Sequence, residues 1–364
     1  MKILMPSYIP WHNADGSQPN FLDATVSGGI EKFMRDIYLN FQDEIIPVVI
    51  YKDQIKDTWK IIGAAVNKHK PDVIFLNRPA HYKYVKQFDL PIVFIDHRPV
   101  DRPPQVLSMG DEYLDMLEHG VHIYFVSERQ FAYHQETMKK KSNVMVTRDN
   151  IKGFAAPSFI ADTNFEVLDD RPYDIVTIGR NDRQKDPFFV HKINKDQTLH
   201  SLVMTNDIIT GDEERDKYAE KSLKWTGNNQ TTLYNLPHDQ VMNNLAQAKV
   251  YISTCPQESW GITALEALSR GVPVILCTDS SNMHSSQEIA ADPSHIRLIN
   301  KGASAKEYLT LIEELSIMSC DKRKEISEMT VNKHSKENWI KSYRNMFDLA
   351  ATREKRLTTL EELF

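Results

Sequence analysis

The chain has 364 residues, which is enough for two domains of ordinary size. Apolar residues make up 41% of it and charged residues 26%, so it is typical of folded globular proteins and neither disordered nor collagen-like. A formal net charge of -6 argues against a generally basic nucleic-acid-binding protein. No apolar run is long enough for a membrane span, and the three cysteines lack the spacing of metal ligands. We therefore expect a soluble, cytoplasmic protein of two domains, without a metal site.

The first half of the chain alternates short apolar segments with helical patterns. Strands are predicted at residues 1–5, 45–51, 72–76, 91–95 and 122–126. One apolar face of a helix is formed by Ile30, Phe33, Met34, Ile37 and Phe41. This alternation is typical of a parallel sheet that helices cover on both faces. It predicts a Rossmann-like N-terminal domain over residues 1–165.

A second series follows a polar, proline-containing stretch at residues 162–172. Strands are predicted at residues 174–178, 199–204, 250–253 and 273–276, a helix at 211–223 and a polar loop at 224–230. This pattern predicts a second Rossmann-like domain over residues 166–335. Residues 336–364 are expected to form a C-terminal helix that packs toward the N-terminal domain through Trp339, Tyr343, Met346 and Phe347.

Residues 253–275 are the most informative stretch, because they predict a strand, a turn, a helix, a glycine stop and another strand. Glu258 precedes the helix and Glu266 lies inside it, about two turns further along. Between them, the backbone N–H groups of Gly261, Ile262 and Thr263 begin the helix. The start of a helix attracts anions, so a diphosphate is expected there.

This stretch resembles the Glu-x7-Glu motif of the retaining glycosyltransferases of family 4 and their GT-B relatives. The resemblance implies an α/β fold of GT-B type, in which two Rossmann-like domains face each other across a cleft. It also implies that Glu258 binds hydroxyl groups of the donor sugar and Glu266 the ribose of the nucleotide. Trp260, Gly261, Ile262 and Thr263 would complete this part of the donor site.

Four further segments resemble the same family. Residues 179–185 look like its Gly-Arg-x4-Lys loop, which implies that Arg180 and Lys185 neutralise the departing phosphate. Gly28 and Gly29 look like the N-terminal glycine loop that approaches the donor. His97 lies where relatives carry a histidine beside the reaction centre, although a surface histidine is an equal alternative. Pro237, with His238 after it, matches the loop that frames the base.

The resemblance implies a hexosyl- or pentosyltransferase that uses a nucleotide-diphosphate sugar, with a UDP-sugar as the expected co-substrate, and no tightly bound cofactor. Retention of configuration is expected through front-face attack without a side-chain nucleophile. An alternative from another class is an inactive nucleotide-sugar-binding scaffold.

The acceptor is expected on the N-terminal domain, where Arg78, His97, Arg98 and Arg102 are the candidate acceptor-binding residues. These residues lie within basic stretches of the kind that bind a phosphate backbone. With these stretches, its Asp-, Asn- and Lys-rich composition and its compact size, the chain resembles the bacteriophage enzymes that glycosylate hydroxymethylcytosine in duplex DNA. That acceptor is preferred, and it would place the protein in the host cytoplasm. The alternative is a bacterial transferase that acts on a lipid-linked or polysaccharide acceptor.

Overall fold

The computed structural model describes residues 1–9, 29–97, 103–142, 146–163, 166–194, 198–206, 216–218, 220, 229–279 and 285–352. These residues form two compact units. The first comprises the described parts of Met1–Ser158 and Glu337–Phe364, and the second is Phe159–Lys336. The boundaries expected after residues 165 and 335 lie close to these two positions.

The first unit is built on a parallel six-stranded sheet with the order β2-β1-β3-β4-β5-β6. Its strands are β1 (Ile3–Ile9), β2 (Ile45–Tyr51), β3 (Val73–Leu76), β4 (Ile92–Asp96), β5 (His122–Phe125) and β6 (Gly153–Phe154). Its helices are α1 (Gly29–Asn40), α2 (Thr58–His69), α3 (Tyr82–Val85), α4 (Pro103–Glu118), α5 (Glu128–Ser142) and, at the end of the chain, α11 (Lys336–Ala351). The interior strands are apolar on both faces because helices cover both.

Helix α11 belongs to the first unit and packs on one face of its sheet through aromatic rings. The ring of Phe347 lies 5.3 Å from that of Phe75 on β3. Trp339 and Tyr343 both donate hydrogen bonds to the backbone carbonyl of Ala156, at 2.9 and 3.0 Å. The predicted apolar face of this helix is confirmed, and it returns the chain to the first unit after the second is complete.

The second unit has a parallel six-stranded sheet with the order β12-β11-β10-β7-β8-β9. Its strands are β7 (Tyr173–Ile178), β8 (Ser201–Thr205), β9 (Gln230–Tyr234), β10 (Ala248–Ser253), β11 (Val274–Thr278) and β12 (Ile296–Asn300). Its helices are α6 (Phe189–Ile193), α7 (His238–Ala246), α8 (Ile262–Ser269), α9 (Ala305–Ser316) and α10 (Cys320–Lys333). Because the strands of each sheet are parallel, their carboxyl ends lie at a common edge, where α/β proteins bind their ligands.

Every strand predicted from the sequence is present, with ends shifted by a few residues, but three strands were missed. These are β6, β9 and β12. The predicted end of the polar loop at 224–230 is wrong by one residue, because Gln230 begins β9. Of the helix predicted at 211–223, Asp216, Lys217, Tyr218 and Glu220 are helical, and the other residues lie outside the described ones. None of the helices in the described ranges is long and apolar enough to cross a membrane.

Candidate functional site

The start of helix α8, at the carboxyl end of β10, is held in an unusual backbone conformation. Gly261 precedes the helix with a φ of 83°, which disfavours any residue with a Cβ. A Cβ there would lie 1.9 Å from the Oγ of Ser286. Ser286 donates a hydrogen bond of 2.9 Å to the carbonyl of Trp260, and Ser285 donates its backbone N–H to the carbonyl of Glu258 at 3.0 Å. The 3-10 turn Ser285–Glu288 therefore fixes the loop that carries Glu258 and leads into the helix.

Glycine has no side chain to cap the helix, so the first backbone N–H groups of α8 lack the usual capping acceptor. Ile262 and Thr263 begin the helix, and both lie at the same edge of the sheet as Glu258. The helix dipole adds a partial positive charge at this end. Such a helix start is suited to an anion such as a diphosphate.

Lys185 and Glu258 form an ion pair beside this helix start, with the ammonium donating to Oε1 of the carboxylate. Their side chains are only 25% and 18% exposed, so solvent screens the pair weakly. Burial by itself would lower the pKa of Lys185, but the charge and hydrogen bond of Glu258 outweigh it and raise the pKa. The site therefore holds a charged lysine at neutral pH.

The loop after β7 is folded around one carboxylate. Asp182 accepts a hydrogen bond of 2.9 Å from the backbone N–H of Lys185 and lies 3.2 Å from the guanidinium of Arg180. A Cβ on Gly179 would lie 3.1 Å from the Cβ of Lys185, so the loop turns back tightly on itself. Thr254, after β10, donates its hydroxyl to the carbonyl of Lys185 and ties this loop to the neighbouring one. Both cations predicted from the sequence therefore lie on one loop, next to the loop of Glu258.

Asp186 anchors the end of the same loop, where its backbone has a φ of 41°. Its carboxylate accepts a hydrogen bond of 2.5 Å from the hydroxyl of Tyr218 and lies 3.2 Å from the ammonium of Lys301. The cost of the left-handed backbone is offset by these contacts.

Glu266 lies within α8, and its Oε1 is 2.8 Å from Nε2 of His238, the first residue of α7. Its side chain is largely buried whereas that of His238 is exposed. Pro237 is the residue before α7, and Asn235, two residues before Pro237, has a φ of 52°. Glu258 and Glu266 thus lie on either side of the start of α8, as the sequence predicted.

The structure describes three of the remaining candidates, Trp260, Gly29 and Arg78. Trp260 is buried, with its ring 6.0 Å from that of His334, so it supports the loop from within. In the first unit, Gly29 begins α1, and the guanidinium of Arg78 lies 5.5 Å from the centre of the Tyr8 ring. Gly28, Arg98 and Arg102 lie outside the described residues.

His97 is buried, so the alternative of a surface histidine is wrong. Its ring lies 4.4 Å from that of Phe33 on α1. Burial lowers the pKa of His97 to about 4, although the neighbouring Asp96 carboxylate acts in the opposite direction. The imidazole is therefore neutral at pH 7, so it can donate one hydrogen bond and accept another but carries no positive charge.

Sequence reasoning missed the residues that hold the two loops. Ser285, Ser286, Tyr218 and Lys301 come from distant parts of the chain, and nothing in their local sequence marks them. Asp182 had a local signal, since it lies inside the loop that carries the cations.

Comparisons with known proteins find a family match in the second unit and fold likenesses over nearly the whole chain. Residues 160–332 match the family model described as Glycosyl transferases group 1. This range covers most of the second unit and includes both loops and helix α8. No curated protein sequence matches the chain significantly.

Solved structures of low sequence identity share the fold over nearly the whole chain. A glycosyltransferase from Rickettsia africae ESF-5 is 14% identical, with a TM-score of 0.69 over 96% of this chain and 98% of that one. Sucrose-phosphate synthase from Thermosynechococcus elongatus is 13% identical, with a TM-score of 0.69 over 96% and 100%. The Anabaena protein HepE in complex with UDP is 13% identical, with a TM-score of 0.67 over 96% and 100%. The predicted α/β fold of GT-B type is thereby confirmed.

Proposed function

We propose that the chain is a glycosyltransferase that transfers a sugar from a nucleotide diphosphate to an acceptor hydroxyl with retention of configuration, because residues 160–332 match the Glycosyl transferases group 1 model and a solved glycosyltransferase shares the fold. The observation that carries this proposal is the Lys185–Glu258 ion pair beside the start of α8, with Glu266 further along the same helix. Cations, helix start and carboxylates at one sheet edge match the parts of a single extended donor.

Each group has a distinct task in this proposal. Lys185 and Arg180 neutralise the β-phosphate as its bond to the anomeric carbon breaks, and the N–H groups at the start of α8 bind the diphosphate. Glu258 accepts hydrogen bonds from the sugar hydroxyls and Glu266 from the ribose. The bonding electrons leave with the nucleoside diphosphate. The acceptor oxygen bonds to the anomeric carbon on the same face, and its proton passes to the departing phosphate oxygen.

UDP is the proposed nucleotide, since HepE binds UDP and shares the fold. Release of UDP from UDP-glucose, UDP-N-acetylglucosamine and UDP-galactose tests this directly. We expect Glu266→Gln to raise the KM for the preferred donor at least about tenfold, because a hydrogen bond to a charged group contributes about 1.5–3 kcal/mol. Glu328→Gln, on the exposed face of α10, is the matched control and leaves the KM unchanged. Equal KM values in both variants would contradict the role of Glu266.

Retention is tested by the anomeric configuration of the product. An α-linked donor gives an α-linked product in a retaining enzyme, and the coupling constant of the anomeric proton distinguishes the two outcomes. A β-linked product would refute the front-face reaction without affecting the assignment of the donor site.

Hydroxymethylcytosine in duplex DNA stays a prediction for the acceptor. Binding a phosphate backbone needs basic side chains that are available to it. Among the described basic residues, Lys86 forms an ion pair of 2.7 Å with Asp115, and Arg78 lies over Tyr8. A gel shift with hydroxymethylated duplex at two salt concentrations is the test. The DNA acceptor requires binding at low salt that weakens as salt rises, and no binding at low salt would leave a lipid-linked or polysaccharide acceptor.

A further inference from the structure

Three polar side chains lie at the carboxyl ends of three neighbouring strands in the first unit. Ser7 is near the end of β1, Asn77 follows β3 and His97 follows β4. They are only 5%, 4% and 8% exposed. Ser7 Oγ, Asn77 Oδ1 and His97 Nε2 have no hydrogen-bond partner among the described residues. Buried polar atoms are almost always paired, so three at one sheet edge require an explanation.

The three side chains share one face of the sheet. Leu4, Ile74 and Phe94 belong to the core cluster on the opposite face. Each of the three polar residues comes three positions after one of these, and alternate residues of a strand point to opposite faces. The β1–β3 register pairs Ile3 with Val73 and Leu4 with Ile74, and the same register continued three residues further aligns Ser7 with Asn77. His97 directly follows the next strand, β4, and its ring lies 4.4 Å from that of Phe33, which also lies 6.1 Å from the ring of Phe75 on the same face.

Helix α1 begins over this group of side chains. Phe33 is about one turn from the first residue of α1, Gly29, and contacts His97 directly. In the sheet, β1 lies between β2 and β3, so the connections on its two sides run in opposite directions. This is a topological switch point, and open α/β sheets bind ligands in the crevice that forms there. The polar side chains therefore lie where the fold favours a ligand.

The hydrogen-bonding capacity of the three unpaired atoms determines which ligand groups fit the site. The amide oxygen of Asn77 only accepts hydrogen bonds, whereas the hydroxyl of Ser7 donates and accepts. Burial keeps His97 uncharged at neutral pH, with its pKa near 4. A phosphate or carboxylate has no hydrogen to donate to Asn77 and would meet no positive charge from the three residues. A hydroxyl group both donates and accepts, so hydroxyl groups satisfy all three.

We propose that Ser7, Asn77 and His97 form a binding site for the hydroxyl groups of an uncharged sugar or polyol. Its assignment as the acceptor site rests on the proposed function, while the site itself does not. Ser7 and Asn77 were not among the residues that the sequence indicated.

Thermal unfolding of variants separates a binding role from a structural one. Ser7→Ala and Asn77→Leu remove polar atoms that have no partner within the described part of the chain, so the melting temperature is expected to stay the same or rise. Asn194→Leu is the control, because the buried Asn194 amide donates a hydrogen bond of 2.7 Å to the carbonyl of Leu199 and accepts one of 3.1 Å from the N–H of Leu199, so its loss lowers the melting temperature. A drop for Asn77→Leu as large as for Asn194→Leu would mean that Asn77 is structural and would overturn the proposal.

Ligand binding to the intact protein is the direct test. Saturation-transfer NMR is measured with methyl α-glucopyranoside, myo-inositol and glycerol as sugar and polyol probes, with glucose 6-phosphate as a charged comparison and 5-hydroxymethyl-2′-deoxycytidine as a nucleoside comparison. We expect at least one sugar or polyol probe to bind in preference to both comparison compounds, and Ser7→Ala and Asn77→Leu to weaken its binding about three- to tenfold each. Binding that is unchanged in both variants, or confined to the comparison probes, would overturn the proposal.

The two proposals fail separately. If UDP neither binds nor is released while the sugar or polyol probe still binds through Asn77, the proposed function is wrong and the site remains. If UDP is released from a donor but Ser7→Ala and Asn77→Leu leave probe binding unchanged, the proposed site is wrong and the proposed function remains.

Discussion

Replacing Lys185 by methionine removes the ammonium that pairs with the Glu258 carboxylate while keeping most of the aliphatic side chain. Two unit charges in contact attract by about 5 kcal/mol at an effective dielectric constant of about 20. Part of this is offset by the cost of taking both groups out of water, which is incomplete because the side chains are about one quarter and one fifth exposed. We expect the free energy of unfolding to fall by about 2 kcal/mol, since the substitution leaves Glu258 charged and without this partner.

The same substitution has a larger effect on turnover in the proposed reaction. Lys185 would lie against the phosphate on which charge develops, and removing one such group typically lowers kcat about 10²- to 10³-fold. Urea unfolding gives the stability, and the rate of UDP release under donor saturation gives kcat. Lys322→Met is the control, because Lys322 pairs with Glu325 on an exposed helix surface, where an ion pair contributes only about 0–0.5 kcal/mol.

Coupling between the two partners can be measured with Lys185→Met, Glu258→Gln and the double variant. In the double variant no uncompensated charge remains, so it should be more stable than the sum of the single losses predicts. Additive stability losses, or a Lys185→Met enzyme as active as Lys322→Met, would refute the reasoning.

Two further substitutions in the second unit, Gly261→Ala and His334→Gln, test the backbone strain at Gly261 and the pH dependence of stability at His334. Gly261→Ala should lower the free energy of unfolding by about 1–3 kcal/mol, because of the φ of 83° and the contact with Ser286, whereas Gly63→Ala in the middle of α2 should raise it by about 0.5–1 kcal/mol. Urea unfolding measures both, and equal effects would contradict the strain. His334 is buried with its Nε2 2.8 Å from the carbonyl of Ile289, and burial lowers its pKa from 6.5 to about 4. The unfolded chain takes up this proton first, so stability is full above pH 6.5 and falls by about 1.4 kcal/mol per pH unit between 6.5 and 4. His334→Gln should reduce that slope in urea unfolding at pH 7, 6 and 5, and an unchanged slope would contradict the assignment.

Edge strands limited how much of the fold the sequence predicted. Interior strands such as β4 and β10 are almost wholly buried, and their apolar runs are visible in the sequence. The missed strands β6, β9 and β12 are edge strands of their sheets. All five residues of β9 are half-buried, and four of them are polar or aromatic, so no apolar run marks it. Strand β6 has only two residues, which is too short to show an alternation of apolar and polar residues.

The candidate site divides in a similar way between local and distant information. Glu258, Gly261 and Glu266 lie within one short stretch, so their spacing along a helix can be read from the sequence. Tyr218 and Ser286 support the loops from distant positions, and only the tertiary structure brings them there. The group of Ser7, Asn77 and His97 depends on the register of three strands, which the sequence leaves open.

The ion pair of Lys185 and Glu258 has a consequence for how the proposed donor would bind. A lysine beside a helix start is a costly arrangement when no anion is bound, and Glu258 supplies the counter-charge. Arrival of a diphosphate replaces that carboxylate as the partner of the ammonium. Glu258 is then released to accept hydrogen bonds from the sugar, which enters with the phosphate. In the proposed function, one carboxylate would therefore hold the cation before binding and bind the sugar after it, so phosphate and sugar should bind with positive coupling. In that case UDP alone gains less from Glu258 than a UDP-sugar does, and Glu258→Gln should weaken the UDP-sugar more than it weakens UDP.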